Sequence, residues 1–70
     1  MTNEQKFEII KDCINDIKEY SENKELSVNE RQHIARAIST YNNLLEDAQR
    51  GKVDLDILHE NIASYLYYLQ

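Results

Sequence analysis

Two histidines in this 70-residue chain follow a carboxylate by three positions, His33 after Glu30 and His59 after Asp56. Carboxylate-x-x-histidine pairs on facing helices hold di-iron centres in helical bundles. A helical projection puts both histidines about 70–80° from the centre of their apolar stripes and turns Asp56 toward solvent. The first predicted helix offers no inward carboxylate to complete such a site. We therefore interpret both histidines as residues at the edge of a core and predict no metal site.

The single cysteine, Cys13, is a candidate nucleophile. A reactive thiol needs a positive environment or an adjacent base, and Asp12 and Asp16 provide neither. Cys13 is thus predicted to be a small core-filling side chain, and one cysteine fits a reducing compartment. The chain has no glycine-rich phosphate loop, no Ser-His-Asp set and no zinc-ligand spacing. We predict that it is not an enzyme and needs no cofactor.

Three helices are predicted because start and stop signals recur along the chain. Capping boxes mark starts at Thr2 and Ser27, each with Gln or Glu three residues later. Asp54 is the third N-cap, and Gly51 is a left-handed stop for the helix before it. The predicted helices span residues 3–21, 28–50 and 55–69.

Apolar residues recur at steps of three and four in each predicted helix, which is the pattern of an amphipathic helix. Loops of about five residues or fewer make consecutive helices antiparallel. With no proline and one glycine, the chain lacks the turn residues of a many-stranded sheet. We predict one domain, residues 1–70, folded as an all-α antiparallel three-helix bundle. The core positions are Phe7, Ile10, Ile14 and Ile17, then Ile34, Ala37, Ile38, Tyr41, Leu44, Leu45 and Ala48, then Leu55, Leu58, Ile62, Tyr65, Leu66 and Leu69.

The charge balance excludes several kinds of partner. Thirteen acidic residues outweigh eight basic ones, for a net charge of -5, which disfavours direct binding to nucleic acid or to anionic membranes. The third predicted helix has no basic residue with which to read DNA. No apolar run approaches the roughly 20 residues of a membrane span, and no signal peptide is recognisable. We expect a cytoplasmic protein that does not insert into membranes.

The third predicted helix carries residues beyond its core stripe that fit an interface. Ile57, Asn61, Ser64 and Tyr68 form a line roughly 100° from that stripe, and Tyr67 points away from the core. Tyrosine is common at interfaces because its ring buries area while its hydroxyl keeps a polar partner. We predict that these five residues bind a protein partner. Two alternatives stay open: the tyrosines simply lie on the surface of a helix end, or the surface forms a homodimer.

One resemblance covers roughly residues 5–69 and is carried by 25–31, Ile34, Ala37, Leu44, Leu45, Ala48, Gly51 and 62–67. Through these residues the second and third predicted helices resemble those of the immunity proteins of class II (pediocin-like) bacteriocins. Members of that family are small cytosolic antiparallel bundles that protect the producing cell without catalysis. The resemblance therefore implies a protein partner, a bacteriocin–receptor complex met from the cytosolic side. Members usually have a fourth helix and a C-terminal tail, and many are basic, whereas this chain is acidic and its sequence stops at Gln70.

A second class of function rests on the first predicted helix. Its spaced negative charges suit an acidic, phage-type inhibitor that mimics nucleic acid and blocks a basic groove of a host protein. Long-range attraction would then set the rate of association. The residues of this acidic face are Glu8, Asp12, Asp16, Glu19 and Glu22.

Overall fold

The computed structural model describes residues 2–70, which form three α-helices. Helix α1 spans Asn3–Asn23, α2 spans Val28–Gln49 and α3 spans Leu55–Leu69. All three predicted starts are confirmed. Helix α1 runs two residues past its predicted end at residue 21, where the Ser21 hydroxyl donates to the Lys18 carbonyl at 2.7 Å. Helix α2 ends one residue earlier than predicted, because residue 50 is its C-cap.

Both predicted capping boxes are formed. The Thr2 backbone N–H donates to Gln5 Oε1 at 2.9 Å, and the Gln5 N–H donates to Thr2 Oγ1 at 3.2 Å. Ser27 and Glu30 exchange the same two bonds, each 3.2 Å long. Asp54 Oδ1 accepts two backbone N–H groups in the first turn of α3, at 2.8 and 3.2 Å. These bonds satisfy donors that every helix start leaves without a partner.

The helices run up, down and up. Lys6 lies near the start of α1, and its Nζ is 2.9 Å from Oδ1 of Asp56 near the start of α3. These two helices therefore run in the same direction. His33 near the start of α2 lies beside Tyr65 near the end of α3, with ring centroids 6.5 Å apart, so this pair is antiparallel. Gly51 turns the chain after α2 with a φ of 78°, as predicted. The predicted all-α antiparallel three-helix bundle is confirmed.

The core draws on all three helices, and its fully buried members are Ile10 and Ile17 of α1 and Ile62 of α3. Several predicted core residues are only half-buried, because a chain this short covers little more than one layer of side chains. Helices α2 and α3 contact each other less than either contacts α1. Within residues 2–70, no helix combines the length and the apolarity needed to cross a membrane. The half-buried positions are Phe7, Ala37, Ile38, Tyr41, Leu44, Leu55, Tyr65, Leu66 and Leu69.

Candidate protein-binding surface on helix α3

All five residues predicted to bind a partner are exposed. We call Ile57, Asn61, Ser64, Tyr67 and Tyr68 the tyrosine surface. Tyr67 is 84% exposed, Tyr68 is 82% exposed and Ile57 is 64% exposed, and the two polar residues are exposed as well. The predicted outward orientation of these side chains is therefore confirmed. Their role in binding stays a prediction.

The rotation of α3 about its own axis is set by its core side. Leu58 is 3% exposed and Ile62 is fully buried, so the face that carries them is held against the other helices. The ring of Tyr65 contacts α2, and Tyr68 and Asn61 neighbour Tyr65 on the helix surface because residues three and four apart share a face. The line from Ile57 to Tyr68 therefore runs along the flank of α3 nearest to α2, and Tyr67 lies on the outermost side.

A groove of about 320 Å³ adjoins the tyrosine surface at the C-terminal end of α3. It lies where the start of α2 meets the end of α3, and Tyr68 belongs to both the groove and the surface. Its lining is mainly apolar and aromatic, which is typical of a site that receives a partner side chain. The lining residues are Tyr20, Leu26, Asn29, Glu30, His33, Ile34, Tyr65, Tyr68 and Leu69.

Tyr65 lines this groove and carries a buried phenol hydroxyl. Its ring meets the Tyr41 ring edge-on at a centroid distance of 5.8 Å, and its buried hydroxyl has no hydrogen-bond partner among the described residues. Burial raises the pKa of the Tyr65 phenol, with smaller contributions from Tyr41 and Tyr68. Burial also raises the pKa of Tyr41. Both phenols are therefore neutral at physiological pH, and the Tyr65 hydroxyl is a donor without an acceptor.

The two carboxylate–histidine pairs do not come together. Glu30 accepts the Ser27 N–H in a capping box, and Asp56 pairs with a lysine of α1. Because α2 and α3 are antiparallel, His33 and His59 lie toward opposite ends of the bundle. His59 is half-buried, as predicted, but His33 is exposed rather than at the core edge, because α2 and α3 make few contacts with each other. No group of three potential metal ligands occurs in residues 2–70.

Cys13 lies at the edge of the core and is half-buried rather than fully buried, because it flanks the apolar stripe of α1. Burial raises the pKa of its thiol, and Asp16 and then Asp12 raise it further. The neighbouring carboxylates thus act in the predicted direction. The thiolate needed for nucleophilic attack is disfavoured at neutral pH.

The acidic face of α1 is exposed along its whole length. Glu8 pairs with Lys11 at 3.5 Å, and Asn15 Nδ2 donates to Glu19 at 3.4 Å. Asp12, Asp16 and Glu22 form no ion pair with the described residues, which leaves their charge facing solvent.

Sequence reasoning missed the role of Arg31. Its guanidinium donates to the carbonyls of Ser21, Lys24 and Leu26 at 3.3–3.4 Å, and so ties the α1–α2 loop to the start of α2. The forked donors of arginine suit such a cluster of carbonyls. Only the folded loop brings these carbonyls together, so no residue spacing signals the contact.

Comparison with protein-family models, with curated proteins and with solved structures found no match to this chain. The case for a function therefore rests on the tyrosine surface, the groove beside it and the acidic face.

Proposed function

We propose that this protein is a small non-enzymatic protein of the bacterial cytoplasm that acts by binding another protein through the tyrosine surface, in the manner of a bacteriocin-immunity protein. The observation that carries the proposal is the exposure of the neighbouring Tyr67 and Tyr68, together with exposed Ile57 about three turns away on the same helix. Exposed apolar side chains that occur singly need no explanation, but two adjacent and almost fully exposed tyrosine rings are more than single scattered residues and support an interaction site.

The chemistry of the surface supports a protein partner. Tyrosine rings supply large contact areas with few rotatable bonds, and they are enriched among the few residues that dominate binding energy. The groove beside Tyr68 offers a place for one apolar side chain of the partner.

Affinity capture with matched variants tests the surface. The wild-type chain, a Tyr67→Ser, Tyr68→Ser double variant and a Val28→Ser control are immobilised and exposed to cytoplasmic extract of the source cell. Val28 is 71% exposed and lies outside the tyrosine surface, so it controls for loss of exposed apolar area. We expect both variants to remain helical by circular dichroism. Only the double variant loses its partner, by at least about tenfold in recovered protein. Equal capture by the double variant would overturn the proposal.

The immunity role has a test of its own. Cells sensitive to class II bacteriocins are made to express the wild-type chain, the double tyrosine variant or the Val28→Ser control. Protection by the wild-type chain and the control, lost in the double variant at equal expression, is the expected result. Failure to protect against any member of a panel of such bacteriocins removes the immunity role and leaves the binding role standing.

The acidic face supports a second candidate, an inhibitor that blocks a basic groove. Asp12, Asp16 and Glu22 present charge that no described basic residue neutralises. Attraction between exposed charges is screened over about 10 Å at 0.1 M salt, whereas aromatic contacts are less affected. Partner binding that falls steeply between low and high salt, and that is lost in an Asp12→Asn, Asp16→Asn variant, favours the acidic face. Binding that survives high salt favours the tyrosine surface.

A further inference from the structure

We infer that two copies of this chain pair face to face through α2 and α3, about a two-fold axis perpendicular to the helices. The line of Ile57, Asn61, Ser64 and Tyr68 on each copy is then covered by the other copy until a partner displaces it. The inference rests on the proposed function because it assigns a resting occupant to the same surface.

The residues of α3 are self-complementary under this symmetry. Ile57 and Tyr68 are eleven residues apart, which is close to three helical turns, so they lie on one line with Asn61 and Ser64 between them. A two-fold axis through the middle of that line runs two copies of α3 antiparallel. Ile57 then meets Tyr68 of the second copy, and Asn61 meets Ser64 of the second copy. Apolar residues pair with apolar residues, and polar with polar.

Helix α2 carries a matching pair of opposite charges. Arg36 and Asp47 are also eleven residues apart, and neither forms an ion pair with the described residues. At 100° per residue, Asp47 and Arg36 lie about 40° and 60° beyond His33, between the α3-facing flank of α2 and its outermost side. The opposite flank carries Asn42 and forms a groove with α1.

The midpoint of Ile57 and Tyr68 on α3 and the midpoint of Arg36 and Asp47 on α2 lie at nearly the same level along the bundle. Tyr65 of α3 lies level with the stretch of α2 between His33 and Tyr41, since its ring contacts both. Counting along the antiparallel helices from that level puts the midpoint of Arg36 and Asp47 within about one turn of the midpoint of the tyrosine line. The axis that pairs Ile57 with Tyr68 therefore also brings Arg36 to Asp47 of the second copy. A closed two-fold interface requires this kind of self-matching.

The alternative orientation is disfavoured by charge. All three acidic residues of the third helical segment, Asp54, Asp56 and Glu60, lie in its first half, and residues 61–70 carry none. Parallel pairing of two copies of α3 would oppose acid to acid, whereas antiparallel pairing opposes acidic halves to uncharged halves.

Size and stability favour participation of both helices. A 15-residue helix is about 22 Å long and about 10 Å across, and its one face falls well short of the roughly 800 Å² per partner of a stable interface. Including the flank of α2 enlarges the face. It also covers Tyr41, Leu44 and Tyr65, which a single copy leaves half-buried. Small domains commonly gain stability by associating in this way.

Sedimentation velocity over a range of protein concentrations tests the pairing. The wild-type chain is compared with Arg36→Asp, with Asp47→Arg and with the double charge swap, in reducing buffer so that Cys13 forms no disulfide. Each single reversal places like charges together and should raise the dimer dissociation constant by about tenfold or more. The double swap restores opposite charges across the axis and should return it to within about threefold of wild type. Lys18→Asp, on the α1–α2 side, is the matched control and should leave it unchanged.

The outcomes separate this inference from the proposed function. A wild-type chain that remains monomeric at every concentration, or a dimer that the single reversals do not weaken, overturns the pairing. A double swap as weak as the single reversals overturns it too. Capture of a foreign partner through Tyr67 and Tyr68 is scored separately and stands even if the chain is a monomer. Circular dichroism of each variant shows that a loss of dimer is not a loss of fold.

Discussion

Helix α3 lies against α1 on one side and α2 on the other, and the two seams differ. The α1/α3 seam has the closer packing, and the fully buried side chains Ile10, Ile17 and Ile62 all come from these two helices. The α2/α3 seam has half-buried Tyr41 and Tyr65, a tyrosine hydroxyl without a hydrogen-bond partner in residues 2–70, and a groove where the start of α2 meets the end of α3. The α1/α3 seam, which we call the tight seam, holds the fold together. The α2/α3 seam, which we call the loose seam, presents aromatic surface.

The difference shows how so short a chain separates the packing that stabilises it from its exposed aromatic surface. Close packing on one side of α3 fixes the rotation of the helix. Residues on the opposite flank are then free to face solvent without loss of order. A binding surface placed on a rigid helix is better preorganised than one on a loop. The loose seam is therefore where we expect substitutions to change binding, and the tight seam is where they should change stability.

The largest expected effect on stability comes from shortening one apolar side chain in each seam. Ile62→Ala removes buried side-chain atoms from the tight seam and should lower the free energy of unfolding by about 3 kcal/mol. Leu44→Ala on α2, where the residue is half-buried, should cost only about 1 kcal/mol. Urea denaturation at low protein concentration measures both.

Because a small domain has only about 5–10 kcal/mol of stability, Ile62→Val is a milder companion that should cost about 1 kcal/mol and remain folded. Equal losses for Ile62→Ala and Leu44→Ala would contradict the distinction between the seams.

A change of opposite sign is expected from Tyr65→Phe. The variant removes a buried hydroxyl that has no partner among residues 2–70 and keeps the ring that packs on Tyr41. An unpaired buried polar group costs about 1–3 kcal/mol, so its removal should stabilise the protein by about 1 kcal/mol. Thermal and urea unfolding measure the change, with Tyr67→Phe as a control at an exposed ring. A loss of stability in Tyr65→Phe would show that the hydroxyl has an acceptor.

Alkaline pH should lower the stability of the folded chain gradually. The ordinary pKa is 9.0 for the thiol and 10.0 for the phenols, and burial raises the pKa of Cys13, Tyr41 and Tyr65 above those values. The folded chain then retains protons that the unfolded chain releases, so stability is full below pH 9 and declines as pH rises through the folded-state pKa values.

Urea midpoints between about pH 7 and pH 11 measure this decline. A Tyr41→Phe, Tyr65→Phe variant should show a shallower decline, and Cys13→Ser should remove the part that begins near pH 9. An unchanged slope in both variants would refute the assignment to these groups.

Local signals account for how well the helices could be predicted from sequence. Thr2 and Ser27 cap their helices through bonds within four residues, and Gly51 adopts the left-handed turn that glycine allows, so short stretches suffice to place them. The end of α1 was predicted less well, because a polar stretch such as 21–23 can continue a helix when its side chains bond to the preceding turn.

The candidate site was predictable where it depends on the rotation of one helix and not where it depends on the spacing of two. The exposure of Tyr67 and Tyr68 follows from the apolar stripe of α3 alone. The groove, the unpaired Tyr65 hydroxyl and the exposure of His33 depend on how far α2 lies from α3. The caps and stripes of the individual helices do not encode that distance.

The smallest expected effect belongs to the ion pair between Lys6 and Asp56, which joins the starts of α1 and α3 at 2.9 Å. The Lys6 side chain is 28% exposed and that of Asp56 is 73% exposed, so water screens much of their attraction. Lys6→Met should lower the free energy of unfolding by about 0.5 kcal/mol, and high salt should abolish most of the difference. A double-mutant cycle with Asp56→Asn measures the coupling directly. If apolar packing holds the tight seam, this coupling stays below about 1 kcal/mol and far below the cost of Ile62→Ala. A coupling of about 2 kcal/mol or more would instead make the ion pair a main reason why α3 packs more closely on α1 than on α2, since α2 forms no ion pair with α3 within residues 2–70.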